Sequence, residues 1–411
     1  MKMKIIRNAA RYLIAPVFIF SGFVKAIDPL GFTYKITDYF EAFGLPWLSS
    51  LSLVFAVLLS SAELLIGLSL FFKIRMKTSA WALLIFMGFF TVLTFFIALK
   101  NPVTDCGCFG DALILTNWQT FFKNIIFLLP TAIVFWQRNK YDKLFTCKTE
   151  WIAVFILFLS GILLSVFCLR NLPLIDFRPY KIGTNIPQSM EIPKGMPVDK
   201  YKTILIYEKN GVKKEFDMKN IPLNDSTWKW VETKNTLIKK GYVPPIHNFS
   251  ISTVDGENIT QQVLEDKGYT FLIISYNLDK ANIKGFTVIN QFAEKAVEKG
   301  YTVMGLTASP SDMIEKFNQN VKPAFRFYTT DETTLKTMIR SNPGLMLIKE
   351  GSVLGNWHFR NIPDDKIFTQ GGLTYALSDQ YKRHTVNVYM ILALFVGLTA
   401  ALLFVLKKDK L

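Results

Sequence analysis

The stretch TSAWALLIFMGFFTVLTFFIAL, residues 78–99, contains no charged residue and decides the class of the fold. An apolar segment of about 20 residues is long enough to cross a bilayer as an α-helix. The whole chain of 411 residues is 50% hydrophobic and 19% charged, whereas an ordinary soluble domain is about 25% charged. These values exclude a purely soluble protein, and the 14% aromatic content also argues against a disordered one.

Several other segments are comparably apolar, and the sequence predicts an α-helical membrane bundle with a soluble α/β domain. Six transmembrane spans are expected, at residues 12–27, 51–72, 78–99, 119–136, 151–168 and 386–406. Fourteen of the 18 basic residues in and around these spans flank them on one side, if each span crosses once. Because Lys and Arg concentrate in cytoplasmic loops, both termini are expected in the cytoplasm and residues 170–384 outside it.

The net charge of +15 could by itself suggest a nucleic-acid partner. The basic residues of the membrane part are nevertheless confined to the short flanks on one side of the spans. This distribution is typical of membrane orientation and not of a phosphate-binding surface. We therefore expect the lipid bilayer as a partner and no nucleic acid.

The part between the fifth and sixth spans has two sections. Residues 170–240 are expected to form a small β-rich linker with a hairpin at Asn210-Gly211, a dipeptide typical of tight β-turns. Residues 246–365 alternate strand-like and helix-like runs, and their order predicts a mixed sheet of the thioredoxin-like type. Thioredoxin chemistry needs a Cys pair after the first buried strand, and this chain has no cysteine beyond Cys168.

Pro343, in RSNPGLMLI, matches the position of the cis-proline that precedes a strand in thioredoxin-like folds. One interpretation is that this loop holds an extended client peptide by backbone pairing. The other is a simple turn before a hairpin.

Cys106 and Cys108 are the main chemical candidates, in NPVTDCGCFGDALILTNW between the third and fourth spans. On the predicted orientation this loop faces the oxidising side, where a strained and reducible disulfide suits exchange. Cys168 ends the fifth span on the same side and is either a resolving thiol or a small buried side chain. Cys147, in a cytoplasmic loop, is expected to be an incidental free thiol.

Two rival interpretations of the cysteine loop remain. Asp105 and Asp111 could complete a mixed metal site with the two cysteines. Cys106 and Cys108 are only two positions apart, however, which leaves too little room for both in a tetrahedral centre. The three histidines are scattered along the chain, so no metal site is predicted. The loop could also be a purely structural clip.

Glu63 lies near the middle of the second span, where a carboxylate is expensive and usually functional. It is a candidate proton relay or helix tether. Lys25 is the nearest cation, but its position at the outer end of the first span makes direct pairing with Glu63 doubtful. Lys25 could pair with Asp28 on one helix face, although snorkelling to the interface is the preferred interpretation.

The motifs FSGFVKAIDP, AELLIGLSL and DCGCFGD resemble the DoxX-like superfamily, specifically its MauE-type branch. The resemblance covers residues 7–137, within a four-helix membrane domain expected at residues 1–137. The whole arrangement is similar to DoxX-family proteins of Bacteroidetes. It implies an inner-membrane protein, and the MauE branch is linked to methylamine utilisation, where it supports maturation of a disulfide-rich dehydrogenase subunit.

The resemblance also extends to quinone-linked disulfide-forming membrane proteins, and by motif position it gives Cys106 and Cys108 the redox role. Quinone is a possible cofactor by this resemblance only. The quinone-linked disulfide-forming proteins generally have two residues between the cysteines of a pair, and they have a second dithiol pair. This chain lacks both features.

The sequence therefore favours a membrane-anchored thiol–disulfide helper that assists maturation of envelope client proteins. The cysteine loop would exchange disulfides, and the cysteine-free domain would hold the client. One alternative is a non-catalytic assembly subunit, and another is a small-molecule or lipid carrier built around Glu63. The client, the electron acceptor, the oligomeric state and enzyme status are not readable from the sequence.

Overall fold

The computed structural model describes residues 2–103, 105–217, 220–221, 225–239 and 241–408. The chain divides into two compact units. One consists of Met1–Thr184 together with Ser250–Leu411, and the other is Asn185–Phe249.

The first part of the larger unit is helical. Its helices are α1 (Lys2–Ile27), α2 (Pro29–Ala42), α3 (Ser52–Phe72), α4 (Met76–Lys100), α5 (Asn117–Trp136) and α6 (Cys147–Arg170). Within the described residues, five helices are long and apolar enough to cross a membrane: α1, α3 with the preceding 3-10 turn Pro46–Leu51, α4, α5 and α6. The sixth predicted span, residues 386–406, is part of a longer helix, Gly372–Lys408.

Helix α2 begins with two local start signals. Asp28 is the N-cap, and its carboxylate accepts a hydrogen bond of 2.9 Å from the backbone N–H of Gly31. Pro29 at the first helical position has its φ angle fixed near the helical value. These two residues therefore fix the start of the helix.

Helices α1 and α3 pack unusually closely. A Cβ atom added to Gly22 would lie 2.4 Å from the backbone nitrogen of Leu64, and one added to Gly67 would lie 2.6 Å from that of Ile19. Arg11 on α1 is fully buried and donates to the carbonyl oxygens of Leu70 and Phe71 at 2.6 Å, so it caps the end of α3. The two helices form the tightest part of the bundle.

The outward faces of the bundle are apolar. Phe89 and Val92 on α4, Ile126 and Leu129 on α5, and Phe155 on α6 are all more than 60% exposed. A soluble monomer rarely exposes so many large apolar side chains on adjoining helices. This surface suits the hydrocarbon core of a membrane. The helices also pair their own backbone N–H and C=O groups, as a segment that crosses a membrane must do.

The smaller unit contains a short helix and an antiparallel sheet. Its elements are α7 (Ile186–Met190), β1 (Lys200–Lys209), β2 (Val212–Asp217) and β3 (Lys229–Lys239), and the strand order is β2-β1-β3. Asn210 and Gly211 join β1 to β2 with positive φ angles of 51° and 78°. This geometry requires the Asn-Gly pair and confirms the hairpin prediction at that position.

The rest of the larger unit is a five-stranded mixed sheet with helices. Its elements are α8 (Thr260–Leu264), β4 (Thr270–Ser275), α9 (Ile283–Glu298), β5 (Thr302–Thr307), α10 (Ser311–Val321), β6 (Arg326–Thr329), α11 (Glu332–Met338), β7 (Gly344–Lys349), β8 (Ser352–His358) and α12 (Gly372–Lys408). The strand order is β6-β5-β4-β7-β8.

The directions of these strands are those of a thioredoxin-like fold. Strands β4, β5 and β6 are parallel, whereas β7 runs antiparallel to β4, and β8 antiparallel to β7. Strand β4 is buried along its whole length and packs, through Phe271 and Ile273, against α9. The peptide bond between Asn342 and Pro343, immediately before β7, is cis.

The close contact of α1 with α3 predicts different effects for two glycines. Gly67→Ala should destabilise the bundle by about 1–3 kcal/mol, because the new methyl group has no room and the backbones must separate. Gly88→Ala on α4, where a Cβ would meet nothing within 4 Å, should be neutral or slightly stabilising. Thermal unfolding of the two variants in detergent measures the difference, and equal melting temperatures would contradict the packing.

Candidate functional site

The cysteine loop, residues 105–112, connects α4 to α5. Cys106 is buried and Cys108 is partly buried. Gly107 and Gly110 have positive φ angles of 62° and 52°, which let the chain turn tightly between and after the cysteines. The loop therefore brings both thiols into one compact turn.

Helix α2 holds the cysteine loop from one side. The Tyr39 hydroxyl donates to the carbonyl oxygen of Cys106 at 2.6 Å, and the Lys35 ammonium pairs with Asp105 at 2.7 Å. A Cβ atom on Gly107 would lie 3.0 Å from the aliphatic stem of Lys35. The loop is thus packed against α2 and is not a free surface turn.

A buried ion pair lies below the loop. Lys25 Nζ is 2.7 Å from Glu63 Oε2, and both side chains are about nine-tenths buried or more. Ser21 Oγ lies 2.8 Å from Glu63 Oε1 and 2.7 Å from the carbonyl oxygen of Cys108. The ion pair of α1 and α3 is therefore linked to the cysteine loop through a single hydroxyl.

This pairing corrects the interpretation from the sequence, which doubted contact between Lys25 and Glu63 and preferred snorkelling of Lys25. The close approach of α1 to α3 at Gly22 explains the difference, since it brings the lysine stem alongside the carboxylate. Asp28 does not pair with Lys25 either. Its carboxylate binds Arg340, with Nη2 at 2.9 Å from Oδ2.

A cavity of about 40 Å³ lies between α1, α3, α4 and α5. Its polar lining is Ser21, Lys25, Glu63, Cys108, Lys123 and Asn124, and its apolar lining includes Phe18, Phe86, Phe90, Phe109 and Phe127. This volume holds about one or a few water molecules, whereas a cavity of about 150 Å³ is known to accommodate a benzene ring. A quinone ring does not fit, so we derive no step through the quinone that the family resemblance implied.

The two thiols have different electrostatic environments. A hydrogen bond from the Cys106 thiol lowers the pKa of Cys108, and the positive charges of Lys123 and Lys25 act in the same direction against the effect of burial. The same hydrogen bond, together with burial, raises the pKa of Cys106. The lowered pKa favours the thiolate form of Cys108 and the raised pKa favours the thiol form of Cys106, which suits Cys108 to act as the nucleophile.

Cys168, the predicted candidate for a resolving thiol, lies elsewhere. It packs in an apolar cluster with Ile27 and Leu174 at the end of α6. The residues that line the cavity include Cys108 but not Cys168. Its surroundings suit a small buried side chain better than a partner for the cysteine loop.

The two carboxylates that the sequence suggested as metal ligands form salt bridges with basic side chains. Asp105 pairs with Lys35, and Asp111 Oδ2 lies 2.8 Å from Nη2 of Arg340. Burial raises the pKa of Asp111, whereas at Asp28 the charge of Arg340 outweighs burial and lowers the carboxyl pKa. These carboxylates hold the loop to neighbouring elements and are poorly placed to ligate a metal.

Sequence reasoning missed Ser21, Lys123 and Arg340. Ser21 lies one helical turn before Lys25, and that spacing on one face was the available signal. Lys123, near the start of α5, has its Nζ 4.4 Å from the ring centre of Phe109. Arg340 stands three residues before Pro343, and nothing in its local sequence identifies partners more than 200 residues away.

The two thiol environments predict the pH dependence of alkylation. Because the pKa of Cys108 is lowered, its rate of reaction with iodoacetamide should stay high to a lower pH than that of a free thiol, whose pKa is about 8.5. Cys106→Ala removes the hydrogen bond to the thiolate and should move the inflection upward. Mass spectrometry of the peptide containing Cys108 measures both rates, with N-acetylcysteine as the reference. An inflection at the reference position in both proteins would contradict the assignment.

Parts of the chain are similar to known proteins. Over 137 residues, the chain is 28% identical to Protein TlpB of Flavobacterium psychrophilum, an alignment that covers 33% of this chain and 34% of that relative. The chain thus matches about a third of the length of this relative. A solution structure described as a candidate protein disulfide isomerase from Bacteroides thetaiotaomicron aligns at 10% identity and a TM-score of 0.23, over 34% of this chain and 87% of that one.

Two family models match separate parts of the chain. Residues 201–240, which include β3, match a domain of unknown function (DUF8463). Residues 3–137 match the model described as methylamine utilisation protein MauE. The cysteine loop, the Lys25–Glu63 pair and the cavity between them therefore all lie in the N-terminal third of the chain that matches the MauE model.

Proposed function

We propose that this protein is a bacterial inner-membrane helper that exchanges thiols and disulfides with envelope proteins. The observation that carries the proposal is the pairing of two thiols in one turn, with Cys106 donating to Cys108 beside Lys25 and Lys123. A thiolate stabilised by a donor and two cations is the reactive form of cysteine. We also propose that the N-terminal region that matches the MauE model belongs to the DoxX-like superfamily.

The exchange step is electron-neutral. The Cys108 thiolate attacks one sulfur of a client disulfide, the client S–S bond breaks, and the second client sulfur leaves as a thiolate. The mixed disulfide is then attacked either by another client thiolate, which rearranges the client and restores Cys108, or by Cys106. In the second case the client leaves reduced, and Cys106 and Cys108 form a disulfide, with the Cys106 proton passing to solvent or to the departing thiolate.

Glu63 acts in this proposal as the counterion of Lys25. The sequence suggested either a proton relay or a helix tether, and the contacts of the carboxylate with the Lys25 ammonium at 2.7 Å and with Ser21 support the tether. A buried lysine needs such a partner to stay charged, because an unpaired ammonium in a low-dielectric environment loses its proton. Glu63 thus keeps a positive charge next to Cys108.

The proposed topology has six spans, with both termini in the cytoplasm and residues 170–384 in the periplasm. The distribution of basic flanks supports it. It places the cysteine loop where disulfides persist. The thioredoxin-like domain, which has no cysteine, is proposed to hold the client at the loop of Pro343, which immediately precedes β7.

A carrier built around Glu63 is the weaker alternative. The cavity beside Glu63 supports it, but a volume of about 40 Å³ has no room for a lipid chain. A non-catalytic assembly role requires no reactive thiol and therefore does not explain the lowered pKa of Cys108. The trapping experiment below separates exchange from both.

Trapping of clients tests the proposed exchange. Cys106→Ser leaves the Cys108 nucleophile without its resolving neighbour and should accumulate mixed disulfides in the cell envelope, visible as shifted bands that a reductant removes. Cys108→Ser should trap far less, because the remaining thiol has a raised pKa. Cys147→Ser, at an exposed cysteine that begins α6, is the control and should resemble the unaltered protein.

Two results would contradict exchange. One is the absence of mixed disulfides in both Cys106→Ser and Cys108→Ser. The other is a wild-type phenotype of the double variant, which would leave the cysteine loop with a structural role only.

A further inference from the structure

Arg340 joins the thioredoxin-like domain to two loops of the MauE domain. Its Nε lies 2.9 Å from Asp28 Oδ1, and its Nη2 lies 2.9 Å from Asp28 Oδ2 and 2.8 Å from Asp111 Oδ2. The Arg340 side chain is only 6% exposed. A buried guanidinium that binds two carboxylates makes a specific contact. Its N–H groups point in fixed directions within one plane, so both carboxylates must be correctly placed to accept from it.

The contact around Arg340 is closely packed. A Cβ atom on Gly31 of α2 would lie 2.7 Å from Nη2 of Arg340. The ring of Tyr34, one turn further along α2, meets the ring of Tyr276 edge-on, with centroids 6.2 Å apart. Lys336 of α11 places its ammonium 4.9 Å from the Tyr34 ring centre. Helix α2 therefore lies directly on the thioredoxin-like domain.

The covered face is the one on which thioredoxin-like folds carry their chemistry. Tyr276 comes directly after β4, where such folds place their Cys pair. Ser275 Oγ lies 2.6 Å from the side-chain oxygen of Asn342, so the end of β4 and the loop of Pro343 are neighbours. Helix α2 thus contacts the face on which the client was proposed to bind.

The same helix holds the cysteine loop. Tyr39 and Lys35 of α2 bind the backbone of Cys106 and the side chain of Asp105. Arg340 reaches the far end of that loop at Asp111. Displacement of α2 from the thioredoxin-like domain would therefore loosen the contacts that hold the cysteine loop in place.

We propose that the thioredoxin-like domain is a docked cap whose Arg340 face binds the protein's own α2 and cysteine loop. A client that pairs with the Pro343 loop competes with α2 for this face, and its binding frees the cysteine loop and makes Cys108 more accessible. Client binding and thiol exposure are coupled in this way. The inference concerns regulation of the proposed exchange site and rests on that function for its biological meaning.

Removal of the clamp tests the cap. In the purified full-length protein, Arg340→Ala should raise the rate at which a bulky maleimide alkylates Cys108 by about fivefold or more, the lower range of a typical coupling between sites. Arg340→Lys should give a smaller increase, because an ammonium keeps the charge but loses the forked geometry. Arg326→Ala, at an exposed arginine on edge strand β6 of the same domain, is the matched control and should leave the rate unchanged.

A second measurement covers the case in which Arg340→Ala fails to fold. Asp111→Asn removes one arm of the clamp and keeps the size of the side chain, and it should also accelerate alkylation. Hydrogen exchange of residues 29–42 and 270–276 should increase together in either folded variant. Unchanged alkylation and unchanged exchange in these variants would overturn the cap.

The outcomes separate the cap from the proposed function, since alkylation requires no client. Accelerated alkylation without any mixed disulfide in the trapping experiment would support docking and refute exchange. Mixed disulfides that form without accelerated alkylation in the clamp variants would support exchange and refute docking.

Discussion

The buried ion pair between Lys25 and Glu63 is the interaction on which the site depends. It joins α1 to α3 beneath the cysteine loop, and Ser21 connects it to the carbonyl oxygen of Cys108. Removal of one partner from a buried pair typically costs about 3–5 kcal/mol, because the remaining charge stays desolvated and uncompensated. The pair has a second consequence, since it maintains a positive charge next to a thiol whose reactivity requires the thiolate form.

Three layers of contact converge on the cysteine loop. The ion pair and Lys123 supply charge from below, α2 binds the backbone of Cys106 and the side chain of Asp105, and Arg340 holds Asp111. These layers give the two cysteines unequal surroundings, which raise the pKa of Cys106 and lower the pKa of Cys108. The result is a short Cys-Gly-Cys turn with the asymmetry that exchange chemistry uses, although its spacing differs from that of thioredoxin-like dithiols.

Much of the architecture was predictable from local sequence. Uncharged runs such as residues 78–99 identified helices long enough to span a membrane, and the Asn210-Gly211 dipeptide identified a hairpin. Alternating strand and helix patterns gave the thioredoxin-like order, including the cis peptide bond before Pro343. Cys106, Cys108 and Glu63 were recognised because thiols and a carboxylate are conspicuous in an apolar membrane domain.

The partners of these residues were not predictable in the same way. The contact between Lys25 and Glu63 was not predicted, because the close crossing of α1 and α3 that brings them together depends on two glycines packed against another helix. Asp28 and Arg340 are 312 positions apart in the chain. Their contact arises from the docking of two folded parts, and no periodicity or spacing within either part encodes it.

The sidedness of the cysteine loop is the most direct test of this account, because thiol exchange with envelope proteins requires the loop to face the periplasm. An alkaline phosphatase that is active only outside the cytoplasm can be fused after Gly110, at the end of the Cys-Gly-Cys turn. We expect high phosphatase activity for this fusion and low activity for a fusion after Lys140, between α5 and α6. High activity at Lys140 with an inactive fusion at Gly110 would place the thiols in the cytoplasm and contradict the account.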